Sequence, residues 1–561
     1  MKETLFAVTM ALTLCQNTMT AVAQDFDDLP TPVVDDNGVT DNTPDSIAKA
    51  LTSRPAPGST RQGDNPVLFM VGNSTMRNGT LGNGNNGQWG WGYCFPKYFD
   101  ARQITVENQA LGGMSTRTFY NKLWPDIRSA LRKGDWVIVS IGHNDNGPYN
   151  SGRARAVLPG IGDDSITVTI EETGERETVY SYGGYLRRYI QEIRAAGAQP
   201  ILMSLTPRDA YNEDSTIVRK PHSQWAAYVA AVEGVPYVDL NELSARKLES
   251  YSHWKEQYHF FGDKIHTSLY GAEMNARSAI EGLSASLHPA LAPLKKMMIN
   301  TELPVYDIPL SPERKPVVFI TGDSTVKNAD KDEDGMWGWG ALAEEVFDTT
   351  KITVINAAMA GRSTRSYIRE RRWERVYNSL RPGDFVLIEF GHNDICPVAD
   401  KKARGTLPYA QDTCHVYCID EGGGIRDESG RYEVVYSFGW YLKKMIDDTR
   451  EKGATPILVS LTPRNEWTGN RVERRNDSYG RWYREVVDET GVEFLDLHNI
   501  IADYLDKKYG TKDGARSKER ASVYFKNDHT HTSLLGARQN ARCVATGLKQ
   551  MHSPLAEFLR K

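Results

Sequence analysis

Serine, histidine and aspartate residues recur in this sequence at spacings that suit nucleophilic attack on a carbonyl group. A hydroxyl becomes a nucleophile when a base takes its proton, and the base works best when a third group orients it. In each half of the chain, a strand-like run ends near a serine and an Asp-x-x-His pair follows far downstream. This spacing lets the carboxylate reach the imidazole Nδ1 and leaves Nε2 free for the serine proton. The predicted triads are Ser324, Asp528 and His531 in the second half and Ser74, Asp263 and His266 in the first.

The residues recur because long stretches of the chain are repeated at an offset of about 250 positions. PILMSLTPR at 200–208 returns as PILVSLTPR at 456–464, and several other blocks return in the same order. Repeating units of this length indicate duplicated domains, since solenoid repeats are shorter. The repeat also selects His531 over its neighbour His529, because the first copy has Lys264 at the position of His529.

The negative charge that develops on a carbonyl oxygen needs hydrogen-bond donors, and each copy offers a glycine and an asparagine for this role. A glycine lets a backbone N–H approach closely, and an asparagine amide donates without acting as a nucleophile. Each motif also has a plainer interpretation: N-x-A-x-x-G fits a turn after a strand, and GHND fits a polar loop. The predicted donors are Gly361 and Asn393, with Gly113 and Asn144 in the first copy.

Short apolar runs separated by helical patterns must position these residues. They show little alternation, which is typical of parallel strands covered on both faces. We therefore predict an α/β fold of two tandem three-layer α/β/α domains, each with an open five-stranded parallel sheet and its chemistry beyond the carboxyl ends of the strands. The five strands predicted in the second copy are 317–321, 352–356, 385–390, 457–461 and 493–497, and a helix is predicted over 440–452.

Length and composition indicate a soluble protein of more than one domain. The chain has 561 residues, 40% hydrophobic and 25% charged, with a net charge of −5, so neither a nucleic-acid partner nor membrane insertion is expected. A short, mostly apolar run at 5–14, followed by an Ala-Val-Ala site at 21–23, predicts a cleaved signal peptide and a periplasmic or secreted protein. The predicted organisation is a signal peptide at 1–24, a flexible leader at 25–64, domains at 65–290 and 315–561, and a linker at 291–314.

Four blocks together resemble the SGNH (GDSL) hydrolases, in the order typical of that family: GDST at 322–325, NAAMAG at 356–361, GHND at 391–394 and DHTH at 528–531. Finer features, among them WGWG and RGTLP, are similar to rhamnogalacturonan acetylesterases. The resemblance implies a flavodoxin-like fold, both triads, and oxyanion holes completed by the serine amides. It implies a serine esterase that removes acetyl groups from acetylated pectin, and the signal peptide predicted above adds export. One departure is Asn73, which stands where the second copy has Asp323.

The expected partner is an acetylated plant cell-wall polysaccharide, bound by a monomer that needs no cofactor. Arginines near predicted strand ends are candidates to bind uronate carboxylates. A calcium-like acidic run at 330–335 has alanine at the position of its bidentate ligand, so no metal is expected. Two alternatives stay open: a deacetylase of xylan or another glycan, and one active domain with a degenerate carbohydrate-binding copy. The candidate arginines are Arg365, Arg464, Arg117 and Arg208.

Overall fold

The structure is a computed structural model that describes residues 51–250, 256–299, 301–309, 314–329, 335–398, 402–419, 431–526 and 528–561. The predicted signal peptide, most of the predicted leader and the acidic run at 330–334 lie outside the described residues. Within the described ranges, no helix is both long enough and apolar enough to cross a membrane.

The described residues form strands and helices in the alternating order that the sequence predicts. The strands are β1 Val67–Gly72, β2 Thr105–Asn108, β3 Trp136–Ser140, β4 Ser165–Thr169, β5 Arg176–Tyr180, β6 Gln199–Met203, β7 Tyr237–Val238, β8 Val317–Gly322, β9 Thr353–Asn356, β10 Phe385–Glu389, β11 Cys414–Ile419, β12 Arg431–Tyr436, β13 Thr455–Val459, β14 Trp467–Thr468, β15 Arg471–Val472 and β16 Glu493–Leu495. The α-helices are α1 Thr116–Lys122, α2 Trp124–Ala130, α3 Tyr182–Ala195, α4 Pro221–Glu233, α5 Leu240–Glu249, α6 Glu256–His259, α7 Leu269–Ala285, α8 Ala292–Lys295, α9 Ser324–Lys327, α10 Thr364–Arg369, α11 Arg372–Ser379, α12 Phe438–Glu451, α13 Tyr479–Thr490, α14 Leu497–Tyr509, α15 Gly514–Arg520 and α16 Leu534–Gln550. Short 3₁₀ helices are Trp91–Tyr93, Pro96–Tyr98, Pro289–Leu291, Trp339–Glu345, Ala521–Val523 and Pro554–Phe558.

Each copy folds around a five-stranded sheet, with strand orders β2-β1-β3-β6-β7 and β9-β8-β10-β13-β16. All the strand pairs in both sheets are parallel, which confirms the predicted fold class. Alternate residues of β8 enter opposite cores: Val317 and Phe319 pack in the layer that contains α12, and Val318 and Ile320 pack in the layer that contains α16. Helices therefore cover both faces of the sheet, and this explains why the strand sequences are apolar throughout.

The order of the strands fixes where chemistry can occur. β8 pairs with β9 on one side and with β10 on the other, so the chain leaves its carboxyl end at a topological switch point. Ser324 begins α9 directly beyond that end. The first copy repeats this arrangement with β1 between β2 and β3, although Ser74 begins a turn rather than a helix.

Three antiparallel hairpins, β4–β5, β11–β12 and β14–β15, form two-stranded sheets separate from the parallel sheets and were not predicted from the sequence. The second hairpin also contacts the other domain, because the Tyr432 N–H donates to the Asn83 carbonyl at 3.1 Å. A second contact between the domains is the stacking of Tyr258 on Trp440, with ring centroids 5.2 Å apart. The two domains therefore share an interface that contains both polar and aromatic contacts.

The described end of the predicted leader is bound to the first domain, which corrects the prediction of flexibility up to residue 64. Arg61 forms a two-pronged ion pair with Asp135, with both N–O distances 2.7 Å. Asp135 also accepts a hydrogen bond from the Val67 N–H at the start of β1. In the second domain Arg314 binds Asp384 in the same way, with distances of 3.0 and 2.6 Å. Composition could not reveal this, since each arginine has its partner about 70 residues away.

The first domain also continues beyond residue 290, so the predicted linker at 291–314 begins too early. Leu291 and Leu294 are fully buried in the core of the first domain. Met298 forms a β-bridge with Phe99, as Leu559 does with Phe347 in the second domain. Pro289 and Pro293 lie in the first turns of two short helices that close the domain.

Replacing Arg61 with Met is expected to lower the free energy of unfolding of the protein by about 3 kcal/mol, because it leaves the buried Asp135 carboxylate without its partner. Chemical denaturation followed by tryptophan fluorescence measures this change. Arg102→Met is the matched control: its side chain is 89% exposed, against 6% for Arg61, although it also pairs with an aspartate. Equal effects of the two substitutions would contradict a structural role for residues 51–64.

Candidate active site

In the second domain, the predicted serine, histidine and aspartate lie in hydrogen-bond contact. His531 Nε2 is 2.8 Å from Ser324 Oγ, and His531 Nδ1 is 2.6 Å from Asp528 Oδ2. The other carboxylate oxygen of Asp528 accepts the N–H groups of Thr530 and His531, both at 2.7 Å. Burial alone would raise the pKa of Asp528, but these hydrogen bonds hold it below its ordinary value. The carboxylate is therefore ionised and orients the imidazole.

The first domain assembles the matching residues with nearly the same geometry. His266 Nε2 is 2.7 Å from Ser74 Oγ, and His266 Nδ1 is 2.6 Å from Asp263 Oδ2. This site is more enclosed, since the side chain of His266 is 7% exposed and that of His531 is 24% exposed. Gln88, where the second copy has methionine, adds a hydrogen bond to Asp263 Oδ2 at 3.3 Å. Both copies therefore present a hydroxyl, a base and an orienting acid.

The WGWG segments hold the nucleophile turn and the histidine loop together. The Trp337 N–H donates to the Thr532 carbonyl at 2.9 Å, next to His531. A Cβ on Gly338 would lie 2.4 Å from the backbone carbon of Val326, two residues after Ser324, so this contact requires glycine. Trp339 is fully buried. The motif therefore acts as a structural clamp between these two segments.

The residue before each serine forms the nucleophile turn with one oxygen atom. Asp323 Oδ1 accepts the Thr325 N–H and the Thr325 hydroxyl, both at 2.9 Å. Asn73 Oδ1 accepts the equivalent groups of Thr75 at 3.1 and 3.0 Å. An asparagine oxygen serves as well as a carboxylate oxygen in such a turn. The departure at Asn73 therefore leaves the geometry of the first site intact.

The predicted oxyanion donors lie on loops beside each serine. Gly361 and Gly113 have φ of +76° and +77°, a conformation that favours glycine. The amide nitrogens of Asn393 and Asn144 each donate to a backbone carbonyl at 3.1 Å, those of Arg362 and Met114. Because a primary amide carries two hydrogens, each asparagine keeps one for a substrate oxygen.

Buried acids tie these loops to each other. Asp394 accepts the N–H and hydroxyl of Thr364, close to Gly361, and Asp145 does the same for Thr116. Burial raises the pKa of Asp394 to about 7 and that of Asp145 to about 6, although the threonine hydrogen bonds oppose the shift. These two aspartates of the GHND blocks are structural braces.

The histidines of the GHND blocks are buried outside the triads. His392 Nε2 contacts the Thr462 hydroxyl at 3.3 Å, and His143 Nε2 contacts that of Thr206 at 3.2 Å. Burial, together with nearby arginine charge, holds the pKa of each imidazole well below its ordinary value. Both rings are therefore neutral and help to fix the loops.

Comparison with known families decides the relationship. The sequence model of the GDSL-like lipase/acylhydrolase family matches residues 70–274 and 320–538, which together make up more than half of the chain. The chain belongs to this family. Each match contains one serine and its Asp-x-x-His pair. The first match ends inside α7 and the second ends inside α16. This GDSL-like protein is a carboxylic ester hydrolase.

Individual relatives are named for narrower activities. The chain is 30% identical over 259 residues to rhamnogalacturonan acetylesterase RhgT of Bacillus subtilis, across 44% of this chain and 95% of that relative. It is 28% identical over 222 residues to a rhamnogalacturonan acetylesterase of Emericella nidulans, across 39% of this chain and 79% of that relative. Among solved structures, the acetylxylan esterase Axe2 of Geobacillus stearothermophilus is similar at 18% identity, with a TM-score of 0.28, across 43% of this chain and 95% of that one.

Two of the four arginines predicted to bind substrate are buried braces of the GDSL-like fold, which corrects that prediction. Arg365 is 0% exposed and binds Glu433 of β12 through Nε at 2.8 Å and Nη2 at 3.0 Å. Arg117 is also 0% exposed and binds Glu177 of β5, with both distances 2.6 Å. Both guanidinium groups are buried in ion pairs with the hairpins β11–β12 and β4–β5, so they do not reach a ligand.

The other two arginines stand near the candidate sites. Arg464 and Arg208 are half-buried, and their Nε atoms are buried and have no hydrogen-bond partner in the described part of the chain. The charge of Arg464 reaches Asp323, where it lowers the pKa against the larger effect of burial. Arg208 donates to the His143 carbonyl at 3.2 Å.

Sequence reasoning missed two further residues of the second site. Arg404 Nη1 donates to Asn393 Oδ1 at 2.9 Å and so helps to orient the amide. Arg404 begins the RGTLP motif, and nothing in the sequence connects that motif to Asn393. Glu389, the last residue of β10, lies buried beside the nucleophile turn. The sequence signal for this residue is that the first copy has Ser140 at the same position of an otherwise similar block.

Replacing Arg365 with Met is expected to lower the free energy of unfolding by about 3–5 kcal/mol, because Glu433 then loses its buried partner. Urea denaturation measures the change. The control is Arg538→Met, which breaks a pair with Glu345 whose side chains are 39% and 42% exposed and should cost at most about 1 kcal/mol. A stable Arg365→Met protein with a raised KM would instead restore the substrate-binding interpretation.

Proposed function

We propose that this protein is a carbohydrate esterase that removes acetyl groups from acetylated pectin of the rhamnogalacturonan type, through a Ser-His-Asp acyl-enzyme mechanism at two sites. The observation that carries the proposal is the unbroken hydrogen-bonded chain from serine to histidine to aspartate in both domains. The substrate class is supported by the two relatives named rhamnogalacturonan acetylesterase.

Acylation begins when Ser324 Oγ attacks the acetyl carbonyl carbon while His531 Nε2 takes the hydroxyl proton. The carbonyl oxygen becomes negative and receives hydrogen bonds from the Asn393 amide and from backbone N–H groups near Gly361 and Ser324. Asp528 holds the imidazolium in place. The tetrahedral intermediate then collapses, the bond to the sugar oxygen breaks, and His531 returns its proton to that oxygen.

Deacylation repeats the sequence with water. His531 Nε2 takes a proton from a water molecule, whose oxygen attacks the acetyl carbon of the acyl-serine. The second intermediate breaks its bond to Ser324 Oγ, which recovers the proton from His531, and acetate leaves. Ser74, His266 and Asp263 carry out the same steps in the first domain, where Asn144 and Gly113 take the places of Asn393 and Gly361.

Recognition of an anionic polysaccharide must be local, since the net charge of −5 gives no long-range attraction. Arg464 and Arg208 are half-buried and supply positive charge beside the two sites, close to Asp323 and Asp263 respectively. A guanidinium group matches the geometry of a uronate carboxylate. We assign these two arginines to the binding of the galacturonate units.

A degenerate first copy that only binds carbohydrate is disfavoured by its geometry. The Ser74–His266 distance of 2.7 Å matches the 2.8 Å of the second domain, and the loop at Asn73 keeps its turn. The proposal also includes export, on the basis of the signal-like sequence at 1–24.

Replacing Ser324 or Ser74 with Ala is expected to remove the contribution of one site, and replacing both should reduce acetate release from acetylated rhamnogalacturonan by at least about 10³-fold, since the nucleophile is lost. Enzymatic measurement of acetate, with the full-length protein, gives the rates. Ser129→Ala, a change at an exposed serine on α2, is the control.

Three outcomes of this experiment are informative. Full activity in the double variant would refute the assignment of the nucleophiles. Activity that is lost with Ser324→Ala alone would leave the first copy without a catalytic role. Faster release from acetylated xylan than from acetylated rhamnogalacturonan would replace the proposed substrate by xylan.

Replacing Arg464 with Met in a Ser74→Ala background is expected to raise KM for acetylated rhamnogalacturonan by about tenfold, the loss of one charge-assisted contact of about 1.4 kcal/mol. KM for the neutral ester 4-nitrophenyl acetate should change less than about twofold, because that substrate has no carboxylate to bind. Arg208→Met in a Ser324→Ala background makes the matching test for the first site. Equal changes for both substrates would show that the arginine supports the site rather than the uronate.

A further inference from the structure

Two carboxyl groups lie buried side by side behind the nucleophile of the second domain. Asp323 and Glu389 are each 1% exposed. They come from neighbouring strands, since Asp323 follows β8 and Glu389 ends β10. The reaction described above uses neither group. Two adjacent anions out of contact with water would repel each other strongly, so the pair is expected to hold a proton.

The hydrogen bonds of Thr325 indicate where that proton lies. The Thr325 hydroxyl is 2.9 Å from Asp323 Oδ1 and 3.2 Å from Glu389 Oε1. A hydroxyl has one proton to give, so it can donate to only one of these oxygens, and it accepts from the other only when that oxygen carries a proton. Asp323 Oδ1 already accepts the Thr325 N–H at 2.9 Å, which favours its ionised form.

Burial and the charge of Asp323 outweigh the hydrogen-bond donors that face Glu389, which favour its ionised form. Trp339 Nε1 donates to Oε2 at 2.5 Å, and the Thr462 N–H approaches Oε1 at 3.3 Å. Burial and the neighbouring Asp323 charge raise the pKa of Glu389 to about 8. Burial also raises the pKa of Asp323, but the bonds from Thr325 and the charges of His531 and Arg464 act in the opposite direction.

We propose that Glu389 is a positioning residue that carries a proton at neutral pH and, by donating it in a hydrogen bond to Thr325, directs the Thr325 hydroxyl to Asp323. Asp323 then stays ionised, close enough to His531 to interact with its charge. A fixed anion near the imidazole stabilises the imidazolium that forms when Ser324 attacks. This inference rests on the proposed serine mechanism and adds a second acid to it, besides Asp528.

Four other titratable groups face the Asp323–Glu389 pair, and the geometry shows no proton donor to Glu389 among them. Those that face it are Arg464 after β13, His531 before α16, Tyr483 on α13, and Asp394 on the loop after β10. The Tyr483 hydroxyl donates to the Phe390 carbonyl, and Asp394 is bonded to Thr364. Arg464 and the imidazolium favour the ionised form of Asp323, whereas Asp394 when ionised adds to the repulsion.

The first domain is a natural comparison, because it has neither acid. Asn73 stands at the position of Asp323 and Ser140 at that of Glu389. Ser140 donates to the Ser204 carbonyl at 3.0 Å, and Trp91 Nε1, the counterpart of the Trp339 donor, has no partner among the described residues. The turn and the triad keep their geometry all the same. The first site therefore keeps its turn and its triad without either acid.

The test compares pH profiles of the second site in a Ser74→Ala background. With Glu389 present, kcat for acetate release should fall as pH rises through about 8, because ionised Glu389 competes for the Thr325 hydroxyl. With Glu389→Gln, whose amide cannot ionise, this alkaline fall should move up by at least about one pH unit. The first site, studied in a Ser324→Ala background, should lack the fall. An unchanged alkaline limb in Glu389→Gln would overturn the proposal.

A second variant separates positioning from packing. Glu389→Leu removes the donor to Thr325 and should lower kcat at pH 6 by about tenfold or more with KM within about twofold, a loss confined to the transition state. Glu389→Gln, which can still donate, should recover most of that loss. Equal kcat values for the two variants would overturn the proposed role of the hydrogen bond.

An unfolding measurement tests the proton without using activity, so it remains valid if the proposed function fails. The pKa of Glu389 is raised from 4.5 to about 8 on folding, so its stabilising effect is complete below pH 4.5 and is lost as pH rises to about 8. Relative to Glu389→Gln, the urea midpoint of the wild-type protein should fall between pH 5 and pH 8. Parallel midpoints over this range would show that Glu389 is already ionised and would contradict the proposal.

Discussion

The chemistry proposed for each domain depends on one hydrogen bond, between the serine hydroxyl and the histidine Nε2. It joins residues 192 positions apart in the first domain and 207 positions apart in the second. A contact of this kind is effective only at about 2.6–3.2 Å, so the intervening chain has little freedom in where it delivers the histidine. A sheet with the serine strand at its switch point meets this demand, because the last helix packs against the same sheet and its preceding loop returns to the strand end.

The sheet alone does not hold the loops, and buried polar contacts do the rest. Asp384 fixes the first residue of β8, Asp394 ties the Gly361 loop to the GHND loop, and Trp337 ties the nucleophile turn to the histidine loop. Each contact joins two segments that are distant in sequence. Buried charges and donors of this kind are costly to leave unpaired, so the loops are held in one arrangement. The candidate site is therefore rigid before any ester arrives.

The sequence predicted those features whose signal is local or repeated. The five predicted strands of the second copy are β8, β9, β10, β13 and β16, since a short apolar run has few other interpretations. The repeat singled out the histidines and aspartates that the fold brings to the serines. Arg365 and Arg61 were misjudged because the role of an arginine depends on its partner, and those partners lie 68 and 74 residues away. Glu389 was not predicted as a site residue, because nothing in the sequence indicates that a glutamate at the end of a strand is buried.

The two copies show that shape and charge at the nucleophile turn are separable. One oxygen of residue 73 or 323 forms the turn in either copy, so the second side-chain atom is free to be an amide nitrogen or a carboxylate oxygen. That second atom has no hydrogen-bond partner in either described site: Asn73 Nδ2 in one, Asp323 Oδ2 in the other. At this one atom, neither copy is better satisfied than the other. What differs is the field at the imidazole, and a duplicated enzyme can vary that field in one copy because the geometry of catalysis is secured by other atoms.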